Sequence, residues 1–468
     1  MNRGLTATVA GMLLLATPCF CELYITVTSS GVKKARLAVG QLKPLTDMRQ
    51  PDPALAQRVR DKLLADLEFT NLFEFISDAL VSPLERSATE AAPLKFEDWA
   101  AVSASFVLKI GYRINDGTLA VEAVLYDVAS QKKILGTRYQ HPAQQYVRLV
   151  HTLAEDILKA LTGETGLFNS RIAMVCWDRK KGMAAKEIFL VSPDGSDLIR
   201  LTSDKTLSLS PAWSPDGKFL AYTQFEWLSS HGVRKKGMVL KKHQLATGER
   251  TALSRKDGVN SGAAWAPSGS RILATLSFSG RPELYFLNPA GESEPEPLSR
   301  NVQWTSFGGI QKSNPDLLFE VEATYSPDGS KIAMSSRRTG NPMIYTVDLA
   351  TRVATQLTFA GKYNATPAWS PKGDKIVFAA QRTGEGNFDL YAIDPDGNNL
   401  ARITNGERPG HRVNSENPSW APTGRHLAFA SNDGGAYGVY VMSLDGGTRT
   451  RVSPAEKECK SPAWSPPE

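Results

Sequence analysis

The sequence lacks the features that mark several common protein classes. It has no apolar run approaching the roughly 18 residues that a transmembrane helix needs. It has no long block of lysine or arginine, and its formal net charge is only +6 over 468 residues, so we expect no nucleic-acid partner. The Gly-x-Ser-x-Gly turn of serine hydrolases is also missing. These absences favour a non-enzymatic protein without a direct membrane span.

Histidine and cysteine are scarce. No spacing typical of metal ligands occurs among the six histidines, which are His141, His151, His231, His243, His411 and His426. We therefore predict no metal and no cofactor. Two of the four cysteines, Cys19 and Cys21, lie near the N-terminus, which leaves Cys176 and Cys459 in the body of the chain.

Residues 1–21 have the pattern of a secretory signal peptide. Arg3 precedes the short apolar core MLLLA at 12–16, and Cys19 and Cys21 are small enough for positions −3 and −1 of a cleavage site. We predict cleavage near Cys21 and export of a soluble chain. A lipoprotein signal through Cys19 is the alternative, although Pro18 stands where that signal takes Gly, Ala or Ser.

A short phrase centred on an aromatic residue recurs six times, at intervals of 44 to 60 residues. The copies are PAWSPDG at 211–217, AWAPSG at 264–269, YSPDG at 325–329, PAWSPKG at 367–373, PSWAPTG at 418–424 and PAWSP at 462–466. Pro, Asp and Gly in this order favour a tight turn, and strand-like segments flank each copy. The repeat predicts a six-bladed β-propeller over residues 168–468, with the aromatics packed between blades.

The sixth copy stops before its second strand, and residues 170–175 provide a matching strand at the start of the repeats. We therefore predict that the two ends of the propeller share one blade, which removes two exposed strand edges. Cys176 and Cys459 would lie at this junction. A disulfide between them is possible, but a shift of one residue would place the thiols on opposite faces.

Residues 22–165 predict a small α/β domain with two helices on a mixed sheet of four or five strands. Asp52 and Pro53 begin one helix, a second apolar stripe ends at Gly163, and Asn115-Asp116-Gly117 marks a hairpin. Nothing in this region has the pattern of a phosphate loop or a catalytic dyad.

The order of these parts resembles the TolB family of the bacterial Tol–Pal envelope system. Residues 161–173 (LTGETGLFNSRIA) are especially similar to the interdomain phrase of that family. The resemblance implies a non-catalytic periplasmic adaptor of a Gram-negative bacterium, active as a monomer in outer-membrane integrity and cell division. Family members bind the peptidoglycan-associated lipoprotein Pal through one mouth of the propeller, and the inner-membrane protein TolA through the mature N-terminus.

Carried over to this sequence, the TolA-binding segment is Glu22, Leu23, Tyr24, Ile25, Thr26 and Val27. Its alternating pattern suits a strand that adds to a partner's sheet. The alternative is an edge strand of its own domain, and exchange between the two states would make the segment a switch. We expect the Pal-binding face in loops that precede each aromatic anchor: Ser208, Leu209, Ser210, Asn260, Ser261, Gly262, Glu320, Val321, Glu322, Asn364, Ala365, Thr366, Asn414, Ser415, Glu416, Asn417, Lys460 and Ser461. An insertion at 227–236 in the first repeat has no assigned role. The alternative function is a periplasmic hydrolase or peptidase-associated module acting in the central channel.

Overall fold

The computed structural model describes residues 34–45, 51–87, 94–178, 185–230, 233–298, 302–306, 309–310, 319–381, 386–408, 411–444 and 449–468. The predicted signal peptide and the predicted TolA-binding segment 22–27 lie outside these residues. Within them, a small α/β region precedes six four-stranded blades, which confirms the predicted fold class. No helix of the described part is long and apolar enough to cross a membrane.

The α/β region is one mixed sheet covered by helices. Its strands are β1 (Ala35–Val39), β2 (Lys43–Pro44), β3 (Phe73–Phe75), β4 (Phe106–Asn115), β5 (Thr118–Asp127) and β6 (Lys132–Pro142). Its helices are α1 (Pro53–Phe69), α2 (Asp78–Ser87), α3 (Phe96–Ala101) and α4 (Tyr146–Thr162). The sheet order is β3-β1-β4-β5-β6, and β1 runs parallel to both of its neighbours.

Helices α1 and α4 are the two that the sequence predicts. Asp52 caps α1 by accepting a hydrogen bond from the Leu55 amide at 2.9 Å, and Gly163 ends α4 with φ of 74°. Leu63 and Leu153 are fully buried in the shared core. The sequence did not reveal α2 and α3, because α2 contains Pro83 and α3 has only six residues, too few for a helical repeat pattern.

Each propeller blade is a sheet of four antiparallel strands. Blade 1 contains β7 (Ile172–Asp178), β8 (Glu187–Val191) and β9 (Ile199–Arg200). Blade 2 contains β10 (Ser208–Trp213), β11 (Phe219–Ser230), β12 (Val233–Gln244) and β13 (Arg250–Ser254). Blade 3 contains β14 (Asn260–Trp265), β15 (Ile272–Leu276), β16 (Glu283–Leu287) and β17 (Glu296–Pro297).

The short strands β18 (Gln303–Ser306) and β19 (Gly309–Ile310) extend the outer edge of blade 4. Blade 4 itself contains β20 (Glu320–Tyr325), β21 (Lys331–Ser336), β22 (Met343–Asp348) and β23 (Val353–Gln356). Blade 5 contains β24 (Tyr363–Trp369), β25 (Ile376–Gln381), β26 (Asp389–Ile393) and β27 (Ala401–Arg402). A hairpin, β28 (Glu407–Arg408) and β29 (His411–Arg412), leads to blade 6, which contains β30 (Ser415–Trp420), β31 (His426–Ser431), β32 (Gly438–Ser443) and β33 (Thr450–Arg451).

The last strand, β34 (Lys457–Trp464), completes blade 1 by pairing with β7. It is the innermost strand of that blade, as β10, β14, β20, β24 and β30 are in the others, and these six inner strands contact one another in ring order. Cys459 lies directly opposite Cys176 in the register, and the two form a disulfide across the junction.

The aromatic anchors join neighbouring blades. The indole Nε1 of Trp213 donates to the Ala463 carbonyl at 2.9 Å, that of Trp265 to Ala212, and that of Trp420 to Ala368. In blade 1 the partner is instead the Ser170 hydroxyl, which lies 2.7 Å from the Nε1 atom of Trp464. Trp213, Trp265 and Trp420 therefore combine apolar packing with a polar contact between blades, whereas Trp369 donates to the Gly373 carbonyl of its own turn.

The α/β region packs on the propeller end that carries the Ser-Pro-Asp-Gly turns, here called the turn end. Glu164 pairs with Lys372 at 2.7 Å, and Arg148 pairs with Asp197 at 3.3 Å. Gly166 of the linker has φ of 99°, and a Cβ atom there would lie only 2.7 Å from Pro422. The opposite end of the propeller, where the inner strands begin, is called the far end.

His426, the first residue of β31, makes a buried contact between the two regions. Its Nε2 lies 3.1 Å from the Phe69 carbonyl, and its ring stacks on the Phe69 ring at 5.3 Å. Because Nδ1 is buried without a partner, the neutral tautomer with hydrogen on Nε2 fits this site. Burial lowers the pKa of His426 to about 4.

We predict that replacing Cys176 and Cys459 by alanine lowers the free energy of unfolding by about 3–5 kcal/mol, because the disulfide closes a very long loop in the unfolded chain. Guanidinium unfolding would measure the loss, with the reduced wild-type protein as the control. Peptide mapping without reductant should recover the linked pair, and recovery of both cysteines as free thiols would contradict the bond.

We predict that His426 makes folding weaker in acid. Its pKa is lower in the folded protein than in the unfolded chain, so the unfolded state binds more protons as the pH falls from 6.5 towards 4. Between pH 7.5 and 5.0 this residue alone should remove about 2 kcal/mol of stability. His426→Phe keeps an aromatic ring and should lose less stability over that interval than wild type, measured by denaturant unfolding at both pH values. Equal losses in the two proteins would refute this role.

Candidate partner-binding channel

The six inner strands surround the central channel and share one irregularity. In each strand the pairing register shifts three residues before the aromatic anchor. The residue at that bulge has a left-handed backbone, with φ between 49° and 61°, and the six are Ser210, Gly262, Glu322, Thr366, Asn417 and Ser461. Five of the six are not glycine, although this conformation disfavours other residues. The bulge is therefore a repeated feature of the channel wall.

The structure corrects the expectation that the Pal-binding candidates lie in loops. Most of them belong to the inner strands themselves. In each inner strand, the side chain five residues before the anchor does not face the channel. The residues five before the anchor are buried inside the blades: Ser208, Asn260, Glu320, Asn364 and Ser415. Successive side chains of a strand point to opposite faces. The prediction that these residues lie in loops did not include this alternation. Cys459 occupies the same position in β34.

These buried polar residues hold the far-end connections in place. The amide Nδ2 of Asn260 donates to the carbonyls of Met238 and Lys256, and Glu320 pairs with Arg338 at 2.6 Å. Burial raises the pKa of Glu320, while the Arg338 guanidinium acts in the opposite direction. Asn414 has a comparable role, because its Oδ1 accepts a hydrogen bond from the Phe388 amide at 2.9 Å. These buried side chains therefore stabilise the loops and strands at the far end.

The remaining candidates are the residues three and four before each anchor. All except Ala365 are half-buried, and they are Leu209, Ser210, Ser261, Gly262, Val321, Glu322, Ala365, Thr366, Glu416, Asn417, Lys460 and Ser461. Several of them contact one another across blade boundaries. Glu322 Oε2 accepts a hydrogen bond from the Thr366 amide at 2.9 Å, and Lys460 Nζ lies 3.3 Å from Glu416 Oε2. The structure thus brings these twelve residues into one continuous ring.

Three side chains of this ring are titratable, and two of them form an ion pair. Glu416, paired with Lys460, also accepts a hydrogen bond from the Tyr437 hydroxyl at 2.7 Å. The third, Glu322, is held by a backbone amide, and burial raises the pKa of its carboxyl group. The rest of the ring consists of glycine and of hydroxyl, amide and apolar side chains.

The insertion at 227–236 lengthens the β11–β12 hairpin beyond the usual blade length, towards the far end. Trp227 is 59% exposed, and the Arg234 guanidinium and the Lys236 ammonium lie 5.5 and 5.9 Å from the centre of its ring. At the turn end, all six copies of the repeated phrase line a cavity of about 560 Å³. The extended hairpin therefore marks the far end of the propeller, and the repeated phrases line the channel at the turn end.

A further polar cluster, which sequence reasoning missed, lies between the α/β region and the propeller. Asp66 of α1, His151 of α4 and Asp194 of the β8–β9 turn come together there, with Lys62 beside them. Their spacing along the chain does not indicate a common site, because only the docking of the two regions brings these residues together.

The comparisons with known proteins cover both parts of the chain. A model described as the TolB amino-terminal domain matches residues 23–134, and one described as the TolB beta propeller domain matches residues 158–468. The chain belongs to the TolB family.

Relatives from several bacteria agree with this TolB assignment. The "Protein TolB homolog" of Chlorobium luteolum is 30% identical over 442 residues, which is 94% of this chain and 92% of the relative. The "Tol-Pal system protein TolB" of Desulfosudis oleivorans is 32% identical over 285 residues, 60% of this chain and 62% of the relative. The crystal structure of TolB from Acinetobacter baumannii superposes with a TM-score of 0.71 over 95% of this chain and all of that one, at 24% identity, and shows the shared fold.

Proposed function

We propose that the chain is a non-catalytic adaptor of a Tol–Pal system in the periplasm of a Gram-negative bacterium. The propeller binds a Pal-like peptidoglycan-associated lipoprotein at its far end, and the mature N-terminus binds a TolA-like inner-membrane protein. The adaptor supports outer-membrane integrity and constriction at cell division.

The observation that carries this proposal is the TolB match over both regions of one chain. Propellers alone serve many functions, so the family assignment rests on the combination of the two regions. The name of the Desulfosudis oleivorans relative places that protein in a Tol–Pal system, and the partners proposed here are carried over from the family. This argument favours the adaptor over a propeller-associated hydrolase.

The far-end ring is the surface that best suits the lipoprotein partner. It is built from six adjacent strands, and the α/β region packs on the other end of the propeller. Its hydroxyl, amide and carboxylate groups offer hydrogen bonds at fixed positions, because the bulged backbone is held by pairing on both sides of the bulge. In this proposal the twelve side chains of the ring face the partner. The buried polar residues five positions before the anchors do not touch the partner, and they hold the far-end loops in position.

Residues 22–27 are the proposed TolA-binding segment. The sequence ELYITV alternates polar and apolar positions and includes β-branched residues, which suits addition of a strand to a partner's sheet. The first described strand begins only at Ala35. A segment of this kind can pair with the partner or with its own domain, and exchange between the two would act as a switch.

We predict that Glu322→Arg weakens binding of the Pal-like domain at least about tenfold, because a long cation replaces the half-buried carboxylate of the ring. Asn417→Arg should have a similar effect. Isothermal titration with the soluble partner domain would measure both. Glu249→Arg makes the same charge change on the exposed β12–β13 turn and is the matched control. Unchanged affinity in both ring variants would exclude this face.

We predict that deletion of residues 22–27 abolishes capture of the TolA-like protein and leaves binding of the Pal-like domain within about twofold of wild type. Pull-down from an envelope extract would test both partners at once. Deletion of residues 28–30 is the control for a shortened N-terminal segment. Loss of both partners, or retention of the TolA-like protein, would contradict the assigned role.

A further inference from the structure

We propose that Asp66, His151 and Asp194 form a binding site for a divalent transition-metal ion between the α/β region and the propeller. The site is independent of the proposed partner surfaces, which lie at the far end and in the N-terminal segment. It joins three separate elements: helix α1, helix α4 and the β8–β9 turn of blade 1.

The donor atoms lie at distances that suit one small ion. His151 Nε2 is 3.3 Å from Asp194 Oδ2 and 3.8 Å from Asp66 Oδ2. Zinc bonds to nitrogen and oxygen are about 2.0–2.2 Å long, so two ligands of a tetrahedral site lie roughly 3.3–3.6 Å apart. Small movements would bring all three atoms into the first coordination shell. One imidazole and two carboxylates form a donor set that suits transition metals better than Mg²⁺ or Ca²⁺.

An oxygen within the cluster has no other partner. Asp66 has only 1% of its side chain exposed, and its Oδ2 is buried without a hydrogen bond. Buried carboxylate oxygens are costly unless they are hydrogen-bonded or bound to a cation. This atom is the one turned towards His151 Nε2, which makes it available as a metal ligand.

Each of the three ligand side chains makes a further contact that fixes its orientation. Asp194 Oδ1 accepts hydrogen bonds from the amide and the hydroxyl of Ser196, which leaves Oδ2 directed into the cluster. The His151 ring stacks on Phe168 at 5.9 Å between ring centres. Lys62 Nζ contacts Asp66 Oδ1 rather than the free Oδ2. Groups that orient metal ligands in this way raise the affinity of the site.

Charge and access are both compatible with a cation. The two carboxylates carry two negative charges, and Lys62, 2.9 Å from Asp194 Oδ2, offsets one of them. A cavity of about 550 Å³ is lined by Lys62, Asp66 and Asp194, so an ion has a path to the site and a water molecule has room as a fourth ligand. Lys62 also competes with the metal, since its ammonium occupies part of the same negative field.

The experiment uses the untagged mature chain, residues 22–468, stripped with chelator and titrated with Zn²⁺ alone. We expect one ion to bind with Kd below about 100 µM. The metal should also raise the thermal unfolding midpoint by several degrees, because it binds only when the two regions are docked. Cobalt(II) should bind the same site and give the visible absorption of a nitrogen- and oxygen-ligated ion.

His151→Gln and Asp66→Asn should each weaken Zn²⁺ binding at least about tenfold and remove the thermal shift. His141→Gln removes a histidine of β6 outside the cluster and should bind like wild type. Lys62→Met removes the competing ammonium and should tighten binding at least about threefold. Far-ultraviolet circular dichroism of every variant checks that the fold is intact.

The proposal fails if wild type does not bind Zn²⁺ with a Kd below about 100 µM, which would leave the cluster as an ion-pair network. It fails equally if folded His151→Gln and Asp66→Asn bind Zn²⁺ as wild type does, which would assign the ion to surface histidines. Because the readouts are metal binding and stability, either result is independent of Pal or TolA binding.

Discussion

Pairing between β34 and β7 is the constraint on which the propeller depends. Five blades are built from consecutive strands, but blade 1 requires strands from both ends of the repeat region. The disulfide, the Arg171–Glu468 ion pair at 2.7 Å and the hydrogen bond from the Arg171 amide to the Ser465 hydroxyl all reinforce this junction. Without it, β30 and β10 would each lose a neighbour, and the ring of twelve channel residues would be interrupted.

Much of the fold can be predicted from the sequence because its signals are local. Five of the six copies contain the proline and the glycine of a tight turn, and the number and spacing of the copies predict the six blades. Asp52 and Gly163 mark helix ends in the same way. Helix α2 was not predicted because it contains Pro83, and α3 was not predicted because six residues are too few for a helical repeat pattern.

The candidate site was only partly predictable. The right segments could be found from their position before the anchors, but which side chains face the channel depends on strand alternation and on the bulge. Neither Glu322 nor Thr366 shows in its sequence context that its backbone is left-handed. The Asp66, His151 and Asp194 cluster was beyond reach, since only the docked arrangement of two regions brings these residues together.

The two ends of the propeller have separate structural roles. The turn end is occupied by the α/β region through buried contacts such as His426 with Phe69, and through the fixed linker at Gly166. The far end carries the bulged strands and the extended β11–β12 hairpin. The six inner strands, which contact one another around the channel, run between these two ends.

The junction in blade 1 also has a consequence for biogenesis. A ribosome makes β7 nearly three hundred residues before β34, so the first strand of the ring must wait for its partner until almost all of the repeats have been synthesised. Such long-range pairing slows folding and keeps an apolar edge exposed in the meantime. The ring can therefore close only after the last repeat has been made.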